Sequence, residues 1–157
     1  MSFWRQFVQW LYDKTFGNVI KDVPDKKGII TNGVLYQLLT PLTTGGMGLY
    51  LSDTVYSTTS VSQAEKFSEA TQIHYRQYVA EGHDCDEFSF ALEGYWNDGL
   101  AQFAFGIVWS NTHAFNIMVD YENKIWIVEP QTNKFVSLDK IDEFPPQYKP
   151  PYRLILM

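Results

Sequence analysis

The chain has 157 residues, 45% hydrophobic and 19% charged, with a formal net charge of −6 at pH 7. That length and composition fit one globular domain with a real core and exclude a disordered chain. The negative balance lacks the clustered basic surface that phosphate binding needs, so no nucleic-acid partner is expected. There is no run of about 18 apolar residues, so no transmembrane segment is expected either.

The start, Met1-Ser2-Phe3-Trp4-Arg5, lacks the parts of a secretory signal, so a cytoplasmic or virion-associated location is expected. Cys85 is the only cysteine, so no internal disulfide supports the fold. Aromatic residues make up 17%, with five Trp, ten Tyr and eleven Phe; rings should line both the core and any groove.

In chain order, Phe3, Trp4, Phe7, Val8 and Leu11 form the stripe of an amphipathic helix over residues 2–15, with Ser2 as cap and Gly17 as stop. Its bland role is packing on the side of the domain; a membrane-surface or partner-binding helix is the alternative. Residues 28–31 suit a short strand. Asn32 is expected to cap a helix that runs to Leu39 and ends before Pro41. Residues 43–48 form a glycine-rich turn without the ending of a phosphate loop. Residues 50–56 read as extended, and residues 63–79 as an imperfect helical pattern in one or two pieces. Gly82 breaks it.

A helix is expected over Asp86 to Glu93, with Gly94 as its stop. The period then changes. Residues 102–109, 113–121, 124–129 and 134–137 are rich in β-branched and aromatic residues and are separated by turn residues, the pattern of an antiparallel meander. Both alternating sets carry apolar residues, so both faces of the sheet should be covered. Residues 144–151 read as a rigid proline-rich loop, and residues 152–157 as a last strand. Helices precede a sheet, so the fold class is α+β, with the Cys85 helix packed on an antiparallel sheet.

Three residues stand out. Cys85 sits at a helix start, where free N–H groups and the helix dipole favour a thiolate. His113 opens a strand and Glu129 closes the next. A turn near Glu122-Asn123 brings the last two to one end of the sheet, and the shared parity of Phe115, Ile117, Val119, Ile125 and Ile127 favours one face. A thiolate, an imidazole and an orienting carboxylate are the parts of a cysteine hydrolase. Taken singly, each has a plainer role: a small core thiol, a structural histidine and a solvated strand-end acid. His74 and His83 compete as the base. The acids Asp84, Asp86 and Glu87 offer oxygen ligands that suit calcium, although acids near a helix start are favoured by the dipole in any case. Ligand spacing for zinc is absent.

The runs Asp84-Cys85-Asp86-Glu87-Phe88, His113-Ala114-Phe115-Asn116 and Trp126-Ile127-Val128-Glu129-Pro130-Gln131 resemble the C-terminal protease domain of the Marasmius oreades agglutinin (MOA) and its lectin-free relatives, some of them predicted in phages. The likeness covers about residues 50–137. It implies a papain-like fold and a Cys–His–Glu catalytic triad: Cys85 as nucleophile, His113 as general base, Glu129 as the orienting carboxylate. It also implies that calcium can act as activator, since the fungal member is calcium-activated. By analogy Gln77 is a second oxyanion donor, next to the Cys85 backbone N–H. On this reading the chain is a single papain-like domain over residues 1–157, with 1–49 a helical N-terminal extension and 50–157 the catalytic core. The expected function is a papain-like thiol protease, a peptidase or amidase that passes through a thioester and acts on a peptide or protein substrate, with no cofactor strictly required. Two alternatives stand beside it: a transglutaminase-like acyltransferase or deamidase, and a non-catalytic binding or virion-structural protein on the same fold.

Overall fold

The computed structural model of the chain describes residues 24–44, 46, 48–97 and 102–157. The helix expected over residues 2–15 lies outside the described residues. Strand β1 (Gly28–Thr31) leads directly into helix α1 (Asn32–Leu39). The cap of α1 is Thr31, one residue earlier than expected; its hydroxyl accepts from the Val34 N–H. A β-region residue with a side-chain oxygen satisfies one of the helix's orphan donors. The chain tightens into a 3-10 turn at Thr40–Leu42 where Pro41 interrupts it.

Strands β2 (Leu49–Tyr50) and β3 (Val55–Thr58) flank a short connection. β3 pairs antiparallel with β1 in a two-stranded sheet. Helix α2 (Val61–Thr71) is capped by Ser60 and ends at Gln72, which takes a left-handed conformation. A 3-10 turn, Ile73–Tyr75, follows. The imperfect pattern over residues 63–79 therefore resolves into two pieces.

Helix α3 (Cys85–Asn97) runs through Gly94 instead of stopping there. A glycine inside a helix costs about 1 kcal/mol relative to alanine. Continuing the helix buries Trp96, whose ring stacks on Phe105 at 4.5 Å and meets Phe103 and Phe67 edge-on. Burying a large aromatic outweighs the glycine.

The meander follows: β4 (Phe105–Trp109), β5 (Ala114–Val119), β6 (Ile125–Glu129) and β7 (Lys134–Ser137). The last strand, β8 (Leu154–Leu156), pairs with β4 and not with β7. The six-stranded order is β2-β8-β4-β5-β6-β7, antiparallel except for the parallel β2–β8 pair. Gly106 permits that order. A Cβ there would run into the Leu156 carbonyl.

Every residue of β5 is buried, as expected of a sheet covered on both faces. On one face Phe88, Leu92 and Trp96 of α3 pack against Phe105, Met118 and Val128. On the other, Phe115, Ile117 and Ile127 pack with Leu35, Leu39, Tyr148 and Tyr152. Ile30, Leu35, Leu39 and Leu42 share this second core, so residues 30–42 are part of the body of the fold and not an appendage. The proline-rich stretch is not extended throughout. A 3-10 turn at Leu138–Glu143 precedes it, and a second at Pro146–Tyr148 lies within it and buries Tyr148. The class is α+β.

Candidate functional site

The turn before α3 is a small hairpin. The Val79 N–H donates to the His83 carbonyl at 2.9 Å, and the His83 N–H donates to that of Val79 at 2.7 Å. Glu81, not Gly82, takes the positive φ, at 59°. Asp84 then caps the helix. Its side chain accepts from the Asp86 N–H at 3.4 Å, its own N–H donates to Glu87 Oε2 at 3.0 Å, and its carbonyl accepts from the Phe88 N–H at 3.2 Å. An acid at the cap and a Glu three residues on form a capping box, which fixes the first turn and so places Cys85.

At the far end of β5 and β6 the register is Asn116↔Val128 and Ile117↔Ile127. Residues of equal parity therefore share a face, and His113 and Glu129 lie on the same one. His113 Nε2 meets Glu129 Oε2 at 2.8 Å. Facing a carboxylate acceptor, Nε2 is the donor of this pair. Tyr148 donates its hydroxyl to the same oxygen at 2.6 Å, and the Gln131 N–H donates to Glu129 Oε1 at 2.9 Å. The Tyr148 ring stands edge-on to His113 at 5.1 Å. Burial, and then the Glu129 carboxylate, push the Tyr148 hydroxyl well above its usual pKa. Tyr148 was not legible in the sequence as part of this cluster. The one signal was a ring held between two proline pairs on a rigid loop.

His83 stacks on Phe88 at 4.5 Å, and His74 pairs with Glu69 at 3.3 Å. Gln77 is exposed in the stretch between the 3-10 turn and the hairpin. Of the expected residues, then, the fold brings His113 and Glu129 into contact, adds Tyr148, and engages His74 and His83 elsewhere.

Cys85 is half-buried at the start of α3. The expected lowering of its pKa does not occur. Burial raises the thiol above its ordinary value; the Ala114 backbone N–H beside it lowers it in part, and the Asp84 and Asp86 carboxylates raise it again. Desolvation and like charge both disfavour a thiolate, and here they outweigh the helix dipole. Among the described residues no hydrogen bond joins the sulfur to the His113 ring.

Asp84, Cys85 and Asp86 bring one ligand atom each within 4.8 Å of one another. Glu87, the third expected calcium ligand, is engaged in the capping box. Two carboxylates and a soft thiol fall short of the six to eight or so oxygens that calcium takes. Hydrogen bonding to Asp84 pushes Asp86 from 3.8 up to about 6, while Asp84 is lowered. The proton belongs to the pair.

No family model matches the chain, and no curated protein matches it. Solved structures do. One is described as the "PSL1a-E64 complex": 20% identical, covering 82% of this chain and 51% of that one, with a TM-score of 0.66. A second is Polyporus squamosus lectin bound to the human-type influenza-binding epitope Neu5Aca2-6Galb1-4GlcNAc: 21% identical, covering 82% of this chain and 49% of that one, with a TM-score of 0.63. The chain spans about half the length of each, and at these identities the likeness is one of fold. Among the described residues, no helix is long and apolar enough to cross a membrane.

These findings correct the main functional expectation. One of the solved proteins that share the fold carries the name of a lectin and was solved with a glycan, and neither carries the name of a peptidase. Locally, burial and the neighbouring carboxylates raise the Cys85 thiol, the nucleophile that a thiol protease, amidase or acyltransferase needs, above its ordinary pKa. The reading of Cys85, His113 and Glu129 as a hydrolytic triad acting on a peptide substrate is therefore set aside.

Proposed function

We propose that this chain is a non-catalytic binding module whose ligand is a glycan. The observation that carries the reading is the fold shared over 82% of the chain with a lectin solved with a bound oligosaccharide. A helix-led half and a sheet-led half meet at the ends of β4, β5 and β6, in a papain-like arrangement that here serves as a platform. Cys85 and His113 are the ligand-contacting residues, and Glu129 supports the ring from behind. Glu129 is spent on orienting the ring, His113 Nδ1 accepts from a sugar hydroxyl, and the neutral Cys85 thiol forms part of the floor. Such a site binds by hydrogen bonds and shape and asks nothing of a nucleophile.

The test is saturable binding of the intact chain to an immobilised panel of neutral and acidic oligosaccharides. Binding to at least one member, weakened about tenfold or more in His113→Ala, is expected; one lost hydrogen bond in a desolvated site is worth about that. A panel that shows no saturable binding contradicts the proposal.

A further inference from the structure

α3 packs on β4 and β5, and the sheet continues past it into β8 and β2. Phe105, Ile107 and Trp109 alternate onto one face of β4, and Phe105 stacks on Trp96 of α3. Ile107 pairs with Leu156 of β8, Trp109 with Leu154, and Leu156 with Tyr50 of β2. Paired residues share a face, so Leu154, Leu156 and Tyr50 lie on the α3 side. Ile155, between the two leucines, is buried in the opposite core. Beyond α3 this face is apolar and open. Tyr50 is 62% exposed and Leu156 40% exposed, and Phe90 on the outer side of α3, 48% exposed, meets the Trp109 ring edge-on at 5.5 Å. Tyr50, Trp109 and Leu154 help to line an open cavity here.

The spacing of the elements says what would close this face. Strands lie about 4.8 Å apart and packed helices about 8–10 Å apart. A second helix beside α3 therefore sits two strands over, on β8 and β2. Residues 2–15 have the pattern for it, with Phe3, Trp4, Phe7, Val8 and Leu11 on one stripe. A helix of that length runs about 21 Å, enough to cover the open patch.

The chain can also reach. The side-chain amide of Asn32, just after β1, donates to the Asp53 carbonyl at 3.0 Å, and the Ser52 N–H donates to the Met157 carbonyl at 2.8 Å, beside Leu156. The start of β1 is thereby within about 30 Å of Tyr50. The connection from Phe16 to Lys27 can span up to about 40 Å. Up to Val23 the segment carries Arg5, Lys14 and Lys21 against Asp13 and Asp22, a small positive excess in a chain of net charge −6. That balance favours its closing on the remainder of the chain.

We propose that residues 2–15 dock as an amphipathic helix on the open β8–β2 face beside α3, with the Phe3–Leu11 stripe against Tyr50, Leu154, Leu156 and Trp109. The occupant of this face is the chain's own N-terminal segment. Photo-cross-linking of the full chain tests it. Phe7→benzoylphenylalanine, on the stripe, is expected to couple within one chain to peptides that hold Tyr50, Trp109 or Leu156, as read by mass spectrometry. Gln9→benzoylphenylalanine, on the opposite side of the helix, should couple there severalfold less. Adding Tyr50→Asp, at an exposed position, should cut the Phe7 yield severalfold with the circular dichroism spectrum unchanged. Coupling only between two chains would give the face to a second copy and overturn the proposal. Coupling elsewhere in the chain, equal yields from the two positions, or no coupling at all would overturn it as well.

Discussion

Glu129 is almost fully buried and accepts three hydrogen bonds, from the His113 ring, the Tyr148 hydroxyl and the Gln131 amide. A buried carboxylate persists only when its oxygens are satisfied in this way. Tyr148→Phe removes one bond to a charged group and is expected to lower stability by about 1.5–3 kcal/mol in denaturant unfolding, with the slope unchanged. A change of a few tenths would mean that the hydroxyl is not holding the carboxylate. The pairing of His113 with Glu129 was legible because strand parity sets the face. The raised pKa of the Cys85 thiol was not, because burial depends on the sheet that α3 packs against. Asp86 gives a pH signature. Its folded pKa lies above the unfolded value, so between about pH 4 and pH 6 the native state binds more protons and stability falls as pH rises. Asp86→Asn removes that slope, and its Tm relative to wild type should climb from about pH 4 to pH 7; a difference that stays level would show that the two acids do not share a proton.

At the scale of elements, α3 is seated by polar contacts as well as by rings. Asn116 on β5 is fully buried, and its amide donates to the Ser89 carbonyl of α3 at 3.0 Å and to the Gly106 carbonyl of β4 at 3.1 Å. Ser89 in turn donates its hydroxyl to the Cys85 carbonyl at 2.8 Å. Asn116→Ala removes two buried side-chain hydrogen bonds that tie α3 and β4 to β5, at about 0.5–1.5 kcal/mol each. A Tm drop of about 5 °C or more is expected from that loss; an unchanged Tm would mean that water replaces the amide. The start of α3 was readable from Asp84 and Glu87, whose chemistry is local. Its end was not, because Gly94 is a local stop signal that the burial of Trp96 overrides. Likewise Pro145-Pro146 and Pro150-Pro151 signalled a rigid loop. Nothing local showed that the loop turns Tyr148 back into the core.

Across the whole molecule, the meander and the α+β class followed from β-branched and aromatic runs between turn residues. The return of β8 to lie beside β4, which puts β2 with Tyr50 at the edge of the sheet, is a long-range pairing that no neighbouring residue announces. Gly106 is its one sequence trace. Gly106→Ala should displace β8 and leave the chain largely unfolded or aggregated, as read by circular dichroism and gel filtration; a native-like variant would mean that the strand order is not set by that contact. The same end of the sheet carries the His113–Glu129 cluster on one face and the Trp109 ring on the other, the face that α3 covers. Whether that platform binds or cuts turns on the ionisation of one sulfur. The most direct measurement is the rate of Cys85 alkylation by iodoacetamide as a function of pH. A thiol that burial and two neighbouring acids hold protonated should react slowly at neutral pH and show an apparent pKa above the ordinary 9.0. Rapid alkylation near neutrality that is lost in His113→Ala would contradict the account, because it would reveal a thiolate paired with the imidazole.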